Sequence, residues 1–215
     1  MINILITASG GTYVATKFVD TVTWSGEYTQ CARTLKFNLV MEQTNSTVPC
    51  NVGDSVIFKS DGQLLFDGFI VSRQKNTGSN KIEIQCFDRG FYLNRNKGVY
   101  KFSGQTPENI VKRICADFGI LTGEIAETGI PITRNFIGVS LYQIIMTAYT
   151  LAAEKTKASY MPMFKGDRFC IVEKRINSET MVIEGGANLM EASCTESIEK
   201  MVNQVVIYNQ DDKIV

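Results

Sequence analysis

The stretch SVIFKSDGQLLFDGFIV, residues 55–71, decides the fold. Ser55-Val56-Ile57-Phe58-Lys59 reads as a strand, and Asp61-Gly62 marks a tight hairpin turn, because Gly tolerates the positive φ such turns require. The chain returns as a second strand over residues 64–71, and Gly68 inside it signals a bend, a bulge or a close backbone approach. Upstream, Leu35, Phe37, Leu39 and Met41 alternate with Lys36, Asn38 and Val40. Downstream, after a turn at residues 76–80, Ile82, Ile84 and Cys86 alternate with Glu83 and Gln85. Closely spaced strands with no helix between them predict an antiparallel sandwich or barrel over the first hundred residues.

The pattern changes near residue 105. Thr106-Pro107-Glu108-Asn109 reads as a helix start, with Thr106 as the cap and Pro107 in the first turn. Ile110, Val111, Ile114, Cys115 and Phe118 follow at helical spacing, and Gly119 is the stop. Ser140 and Gln143 fit a capping box ahead of the apolar stripe Leu141, Ile144, Ile145, Ala148, Leu151 and Ala152. Strands return at 160–164 and 168–173, joined by Lys165-Gly166-Asp167, and again at 180–184 and 203–208. Turns are expected at Gly185-Gly186-Ala187-Asn188 and at Asn209-Gln210-Asp211-Asp212, and the chain then stops as if inside a hairpin. The expectation is a chain cut short at its C-terminus or completed by a neighbour.

Composition narrows the function. The chain has 215 residues, 44% hydrophobic and 20% charged, which is ordinary globular composition. It contains no His, so Ser-His-Asp and Cys-His catalysis and His-ligated metals are excluded. The six Cys, at positions 31, 50, 86, 115, 170 and 194, form no CxxC motif and sit among apolar neighbours, as reduced core thiols do. No GxGxxG or Walker pattern occurs, so no cofactor or metal is expected. The Asn45-Ser46-Thr47 sequon reads as a polar loop, because no secretory signal precedes it. No window approaches a membrane span, and the chain is expected to be made and kept in a reducing cytosol.

Asp67 and Asp88 could be imagined as the carboxylate pair of a cell-wall hydrolase. The net charge is zero, yet residues 1–104 hold 11 basic and 8 acidic groups, against 11 and 14 in residues 105–215. Residues 73–101 are the most basic stretch, with seven cations against Glu83 and Asp88, interleaved with Phe87, Phe91, Tyr92 and Tyr100. That mixture suits a solvated barrel rim, an acidic partner surface, or a barrel that binds single-stranded nucleic acid.

From residue 52 onward a set of motifs follows in order: Gly53-Asp54-Ser55-Val56, Leu65-Phe66-Asp67-Gly68-Phe69-Ile70, Cys86-Phe87-Asp88-Arg89-Gly90-Phe91-Tyr92-Leu93-Asn94, Phe102-Ser103-Gly104-Gln105-Thr106-Pro107, and a helix ending Asp117-Phe118-Gly119-Ile120. Later come Asn188-Leu189-Met190-Glu191 and Ser197-Ile198-Glu199-Lys200. This series resembles the baseplate hub proteins of contractile phage tails, of the XkdQ/YqbQ-like kind found in PBSX-type prophages and related to late control protein D.

The resemblance implies an α+β, mainly β fold: a tail-tube-like antiparallel β-barrel over 1–104, an α+β section with two helices over 105–185, and the beginning of a second β-barrel over 186–215. It implies a non-enzymatic structural protein, homotrimeric at full length, that adapts the tail tube to the central spike. Implied partners are itself, the spike, the tube protein, the tape measure and other baseplate proteins, in a phage or R-type bacteriocin particle, without membrane or nucleic acid. Arg89, Phe91, Tyr92, Arg95 and Lys97 are the candidate partner interface.

Overall fold

A computed structural model describes residues 2–27, 30–41, 48–75 and 78–174, and the single positions Val182, Glu191 and Val206. The chain divides into two compact units, Met1–Arg175 and Ile176–Val215. The strands expected at 180–184 and 203–208, the turns at 185–188 and 209–212, and the loop around Asn45 lie outside the described residues, apart from Val182 and Val206.

The first unit opens with strands β1 (Ile2–Ala8), β2 (Gly11–Val14), β3 (Val19–Gly26), β4 (Arg33–Val40), β5 (Ser55–Ser60), β6 (Gln63–Lys75) and β7 (Lys81–Asp88). They form one antiparallel sheet in the order β2-β1-β5-β6-β7-β4-β3. Period-two alternation puts Ile4, Ile6, Leu35, Phe37, Phe58 and Ile84 on one face, where they pack as a single core. The sheet curls round that face as a half-barrel. Among the described residues its end strands β2 and β3 do not pair with each other.

The β5–β6 hairpin turns at Asp61 and Gly62, both at positive φ (49° and 81°). That geometry twists with the flanking strands, as the sequence signalled. Gly68 sits at a close approach: a Cβ there would run into the Phe87 carbonyl and lie 2.6 Å from the Phe66 ring. Two residues later β6 carries a register shift between Ile70 and Ser72.

Beyond β7 come α1 (Gly90–Arg95), β8 (Lys97–Gln105), α2 (Pro107–Asp117), β9 (Thr122–Ile125), β10 (Ile132–Ser140), α3 (Leu141–Thr156), β11 (Ser159–Lys165) and β12 (Arg168–Lys174). β8 and β10 pair as a two-stranded antiparallel ribbon, and β11-β12-β9 form a small mixed sheet. A second core of Phe102, Ile114, Phe136, Ile144, Tyr149 and Phe169 fills the space between these elements.

Helix α1 lies inside the region whose pattern reads as strands throughout. Six residues are too few to establish a helical period against that background. The capping box at α3 is present: the Ser140 hydroxyl accepts from the Gln143 amide, and the Gln143 side chain accepts from the Ser140 amide, both at 3.2 Å. At α2 the expectation needs correcting. Thr106 occupies the cap position in extended conformation, but its side chain makes no cap bond. Pro107 removes one of the free amides of the first turn.

Buried Glu108 turns instead to the neighbouring loop and accepts from the amides of Thr128 and Gly129, both at 3.2 Å. Burial pushes its carboxyl up, but hydrogen bonds from backbone amides outweigh burial and hold it below the usual carboxylate range. The same loop is held from α3, where the Tyr149 hydroxyl donates to the Ala126 carbonyl at 2.7 Å. The five described cysteines are all buried and free.

The approach at Gly68 sets a test of the fold. Gly68→Ala forces the β6 and β7 backbones apart and is expected to lower stability by about 1–3 kcal/mol. A denaturant midpoint shifted downward with an unchanged slope is the expected reading; an unshifted midpoint contradicts the packing described.

Candidate functional site

The site is built where β7 gives way to α1. Asp88, only 1% exposed, accepts from the Gly90 amide at 2.9 Å with one oxygen and from the Arg33 amide at 3.0 Å with the other. The Cys31 thiol donates to the Gly90 carbonyl at 3.5 Å. Gly90 admits no side chain, since a Cβ would lie 2.9 Å from the Ala32 backbone and from the Asp88 carboxylate. Burial pushes the Asp88 carboxyl up to about 7, against the pull of these two amides.

This knot lays α1 against the outer face of the sheet. Phe69 and Phe87 are directly opposed across β6 and β7. Phe91 stacks on Phe87 at 5.3 Å and 10°, and Tyr92 stacks on Phe69 at 5.0 Å and 24°. Phe91 also meets Phe69 edge-on at 6.0 Å. The result is a block of four rings, two from the sheet and two from the helix. The Arg95 guanidinium lies 5.3 Å from the Phe91 ring centre, a cation over an aromatic face. Arg89 and Arg95 are exposed, and Tyr92 is 42% exposed. Beside the block lies a shallow cleft of about 220 Å³ bordered by Ser55, Asp67, Gly68, Phe69, Arg89 and Tyr92. Partial burial pushes the Asp67 carboxyl up, Arg89 opposes that, and Asp167 adds to it.

Of the residues expected at an interface, Arg89, Phe91, Tyr92 and Arg95 therefore share one platform. Lys97 does not join their stack. It opens β8 and pairs across to Ser140 on β10. Phe69, half the foundation of the platform, carries no local signal and is brought in by register alone.

The basic stretch is also less concentrated than its sequence. Arg73 donates to the Cys50 carbonyl at 2.6 Å, and Lys81 pairs with Asp20 at 2.6 Å. Arg73 pairs with Ile84, whereas Gly68 pairs with Asp88, so these cations sit toward the opposite end of the strands from Arg89. At roughly 3.3 Å per residue that is more than one helical turn of separation along the sheet.

Asp67 and Asp88 point to opposite faces. Gly68 pairs with Asp88 on the core side, and Asp67, one residue earlier on β6, faces the outer cleft. Two carboxylates divided by the sheet cannot act on one glycosidic bond. Among the described residues no group of three or more His, Cys, Asp or Glu is placed to hold a metal ion. No helix among them is long and apolar enough to cross a membrane.

The sequence profile of the YQBQ-like family matches residues 22–214. The uncharacterized protein YqbQ of Bacillus subtilis (strain 168) is 30% identical over 196 residues, covering 90% of this chain and 60% of its own length. The phage-like element PBSX protein XkdQ of the same organism is 29% identical with the same coverage. The chain thus spans about 60% of the length of the curated relatives it matches.

Among solved structures, the 43 kDa tail protein of prophage MuSo2 from Shewanella oneidensis aligns with a TM-score of 0.61 at 15% identity, over 79% of this chain and 53% of that one. A tail protein from Neisseria meningitidis MC58 aligns with a TM-score of 0.58 at 14% identity, over 79% of this chain and 50% of that one. Prophage tail protein gp18 from Listeria monocytogenes EGD-e aligns at 0.52 and 10% identity, over 79% and 49%. At these identities the likeness is one of fold.

The Asp88 knot predicts a pH dependence with a definite sign. A carboxyl raised from 3.8 to about 7 in the folded chain holds its proton more tightly there than in the unfolded chain. Its contribution to stability is full below about pH 4 and is lost as pH rises to about 7. Asp88→Asn is expected to remove that part of the slope in urea midpoints measured from pH 4 to 8. Its NH₂ group cannot accept, so one amide loses its partner at a cost of ~1–3 kcal/mol. Identical slopes for the two proteins would refute the role given to Asp88.

Proposed function

The chain belongs to the YQBQ-like family, and from that premise we propose that it is part of a structural baseplate hub protein of a contractile tail. The observation that carries the reading is the agreement between family and fold. A relative bears the name of a phage-like element, and three proteins of the same fold are tail proteins. The site supports it too: an aromatic and cationic block on the outside of a curled sheet suits packing against another protein more than enclosure of a small molecule.

In this reading the sheet-forming residues 1–104 are a tube-like segment. Residues 105–185 form the α+β section beside it, and 186–215 begin a second tube-like segment. Three copies at full length imitate a six-fold ring that joins the tail tube to the spike, with the tape measure and other baseplate proteins as further partners. The particle is a phage or R-type bacteriocin assembled in the bacterial cytoplasm. The protein is not an enzyme. Tyr92, Phe91, Arg89 and Arg95 make contacts in the ring, with Lys97 at their margin. An exposed aromatic seated beside two arginines is the composition of an interface hot spot.

The test uses the full-length gene in its producing strain. Tyr92→Ala with Arg95→Glu leaves the buried parts of α1 intact, so the protein is expected to fold with an unchanged circular dichroism spectrum. Losing a hot spot is worth on the order of 2 kcal/mol or more, about thirtyfold in affinity. Purified particles are expected to lack the variant and to show no completed baseplate by electron microscopy. Normal particles containing the variant in wild-type amount would overturn the platform's role. Normal particles from a strain lacking the gene would overturn the hub reading itself.

A further inference from the structure

The β8–β10 ribbon carries a face that, apart from Lys97, the aromatic platform does not use. One side packs inward through Phe102 and Phe136, with Tyr100 stacked on Phe102 at 5.5 Å. On the other side Val99 and Ile137 stand directly opposed across the strands, 74% and 78% exposed. They are the two most exposed large apolar residues among those described. Lys97 and Lys101 flank Val99 at the two-residue spacing that puts all three on one face. Neither lysine has an ion-pair partner among the described residues. Neither strand contains an Asp or a Glu. Both outer edges of the ribbon are unpaired among the described residues. An apolar pair inside a cationic rim, on a strand pair with free edges, is shaped to receive another polypeptide.

We propose that this face docks a second copy of the chain through that copy's residues 176–215. Ribbon against ribbon is disfavoured, because it would bring lysines of like sign together. The complementary charge lies elsewhere in the same chain: residues 176–215 hold seven carboxylates and two lysines. Apolar and acidic residues are adjacent there, as in Met190-Glu191 and Ile198-Glu199, so the stretch offers apolar groups for the Val99–Ile137 pair and carboxylates for the two lysines. The contact is head-to-tail, each copy giving one surface and receiving the other, which is the kind that closes rings or runs on as filaments. A ring as its product rests on the hub reading above; the contact itself does not.

Sedimentation of the 215-residue chain tests the proposal at about 50 mM and about 500 mM NaCl, where the screening length falls from roughly 14 to 4 Å. The wild-type chain is expected to associate with rising concentration, more weakly at high salt. Val99→Ser with Ile137→Ser, and separately Lys97→Glu with Lys101→Glu, are each expected to weaken association at least tenfold. Mixing the Lys97→Glu, Lys101→Glu chain with a Glu196→Lys, Glu199→Lys chain is expected to restore it.

A wild-type chain that stays monomeric at both salts up to about 100 µM, the weak end of specific association, overturns the proposal. So does a Lys97→Glu, Lys101→Glu chain that associates like wild type; if the Ser variant fails to fold, this charge pair decides alone. Association through the ribbon by a chain that never enters tails would refute the hub reading and leave this contact standing.

Discussion

The carboxylate of Asp88 accepts from two backbone amides that are far apart in sequence, Arg33 and Gly90. Through them the end of β7 is tied to the start of β4 and to the entry of α1. Two cores meet at this point. Arg33 leads into Leu35 and the curled sheet, whereas Cys31, two residues earlier, belongs with Leu93 to the helical core. A buried polar group is costly unless its bonds are made, and here both oxygens are used. The direction in which α1 leaves the sheet is thereby set, and so is the position of every ring that stacks on Phe69 and Phe87.

The platform shows how an aromatic block can be built from few residues. The strands supply two rings at fixed cross-strand spacing, and one short helix supplies two more. No ring depends on a loop. Aromatic side chains have few rotatable bonds, so holding them in one packed arrangement costs little conformational freedom.

Legibility in the sequence followed the range of the forces involved. The Asp61-Gly62 turn, the Ser140–Gln143 box and the Lys165-Gly166-Asp167 turn between β11 and β12 rest on local chemistry, and each could be read from a few adjacent residues. The period-two runs around Phe37, Phe58 and Ile84 were legible for the same reason. Helix α1 was not, because Phe91 and Tyr92 are as much at home in a strand and their helical state is fixed by rings on β6 and β7. Thr106 misled because residue type fixes a cap position but not the direction of its hydroxyl, which here makes no cap bond. Composition found Arg89, Phe91, Tyr92 and Arg95, yet it also gathered Arg73 and Lys81, which the sheet carries to its other end. It missed Phe69, whose place depends on pairing between strands, and it missed the Val99–Ile137 pair, whose partners are separated by 38 positions in the chain.

The alternation at the end of β7 has a consequence for how this chain can vary. Phe87 faces outward into the ring block and Asp88 faces inward onto its two amides, and the two are adjacent. Deleting or inserting one residue in β7 would exchange them, turning the carboxylate out to solvent and the ring into the joint. Changes of residue type are tolerable at the exposed positions of this strand, Lys81 and Glu83; changes of count are not tolerable anywhere along it. Homologous chains that share the joint should therefore differ in length before β7 or after α1, and keep an invariant number of residues between Ile82 and Gly90.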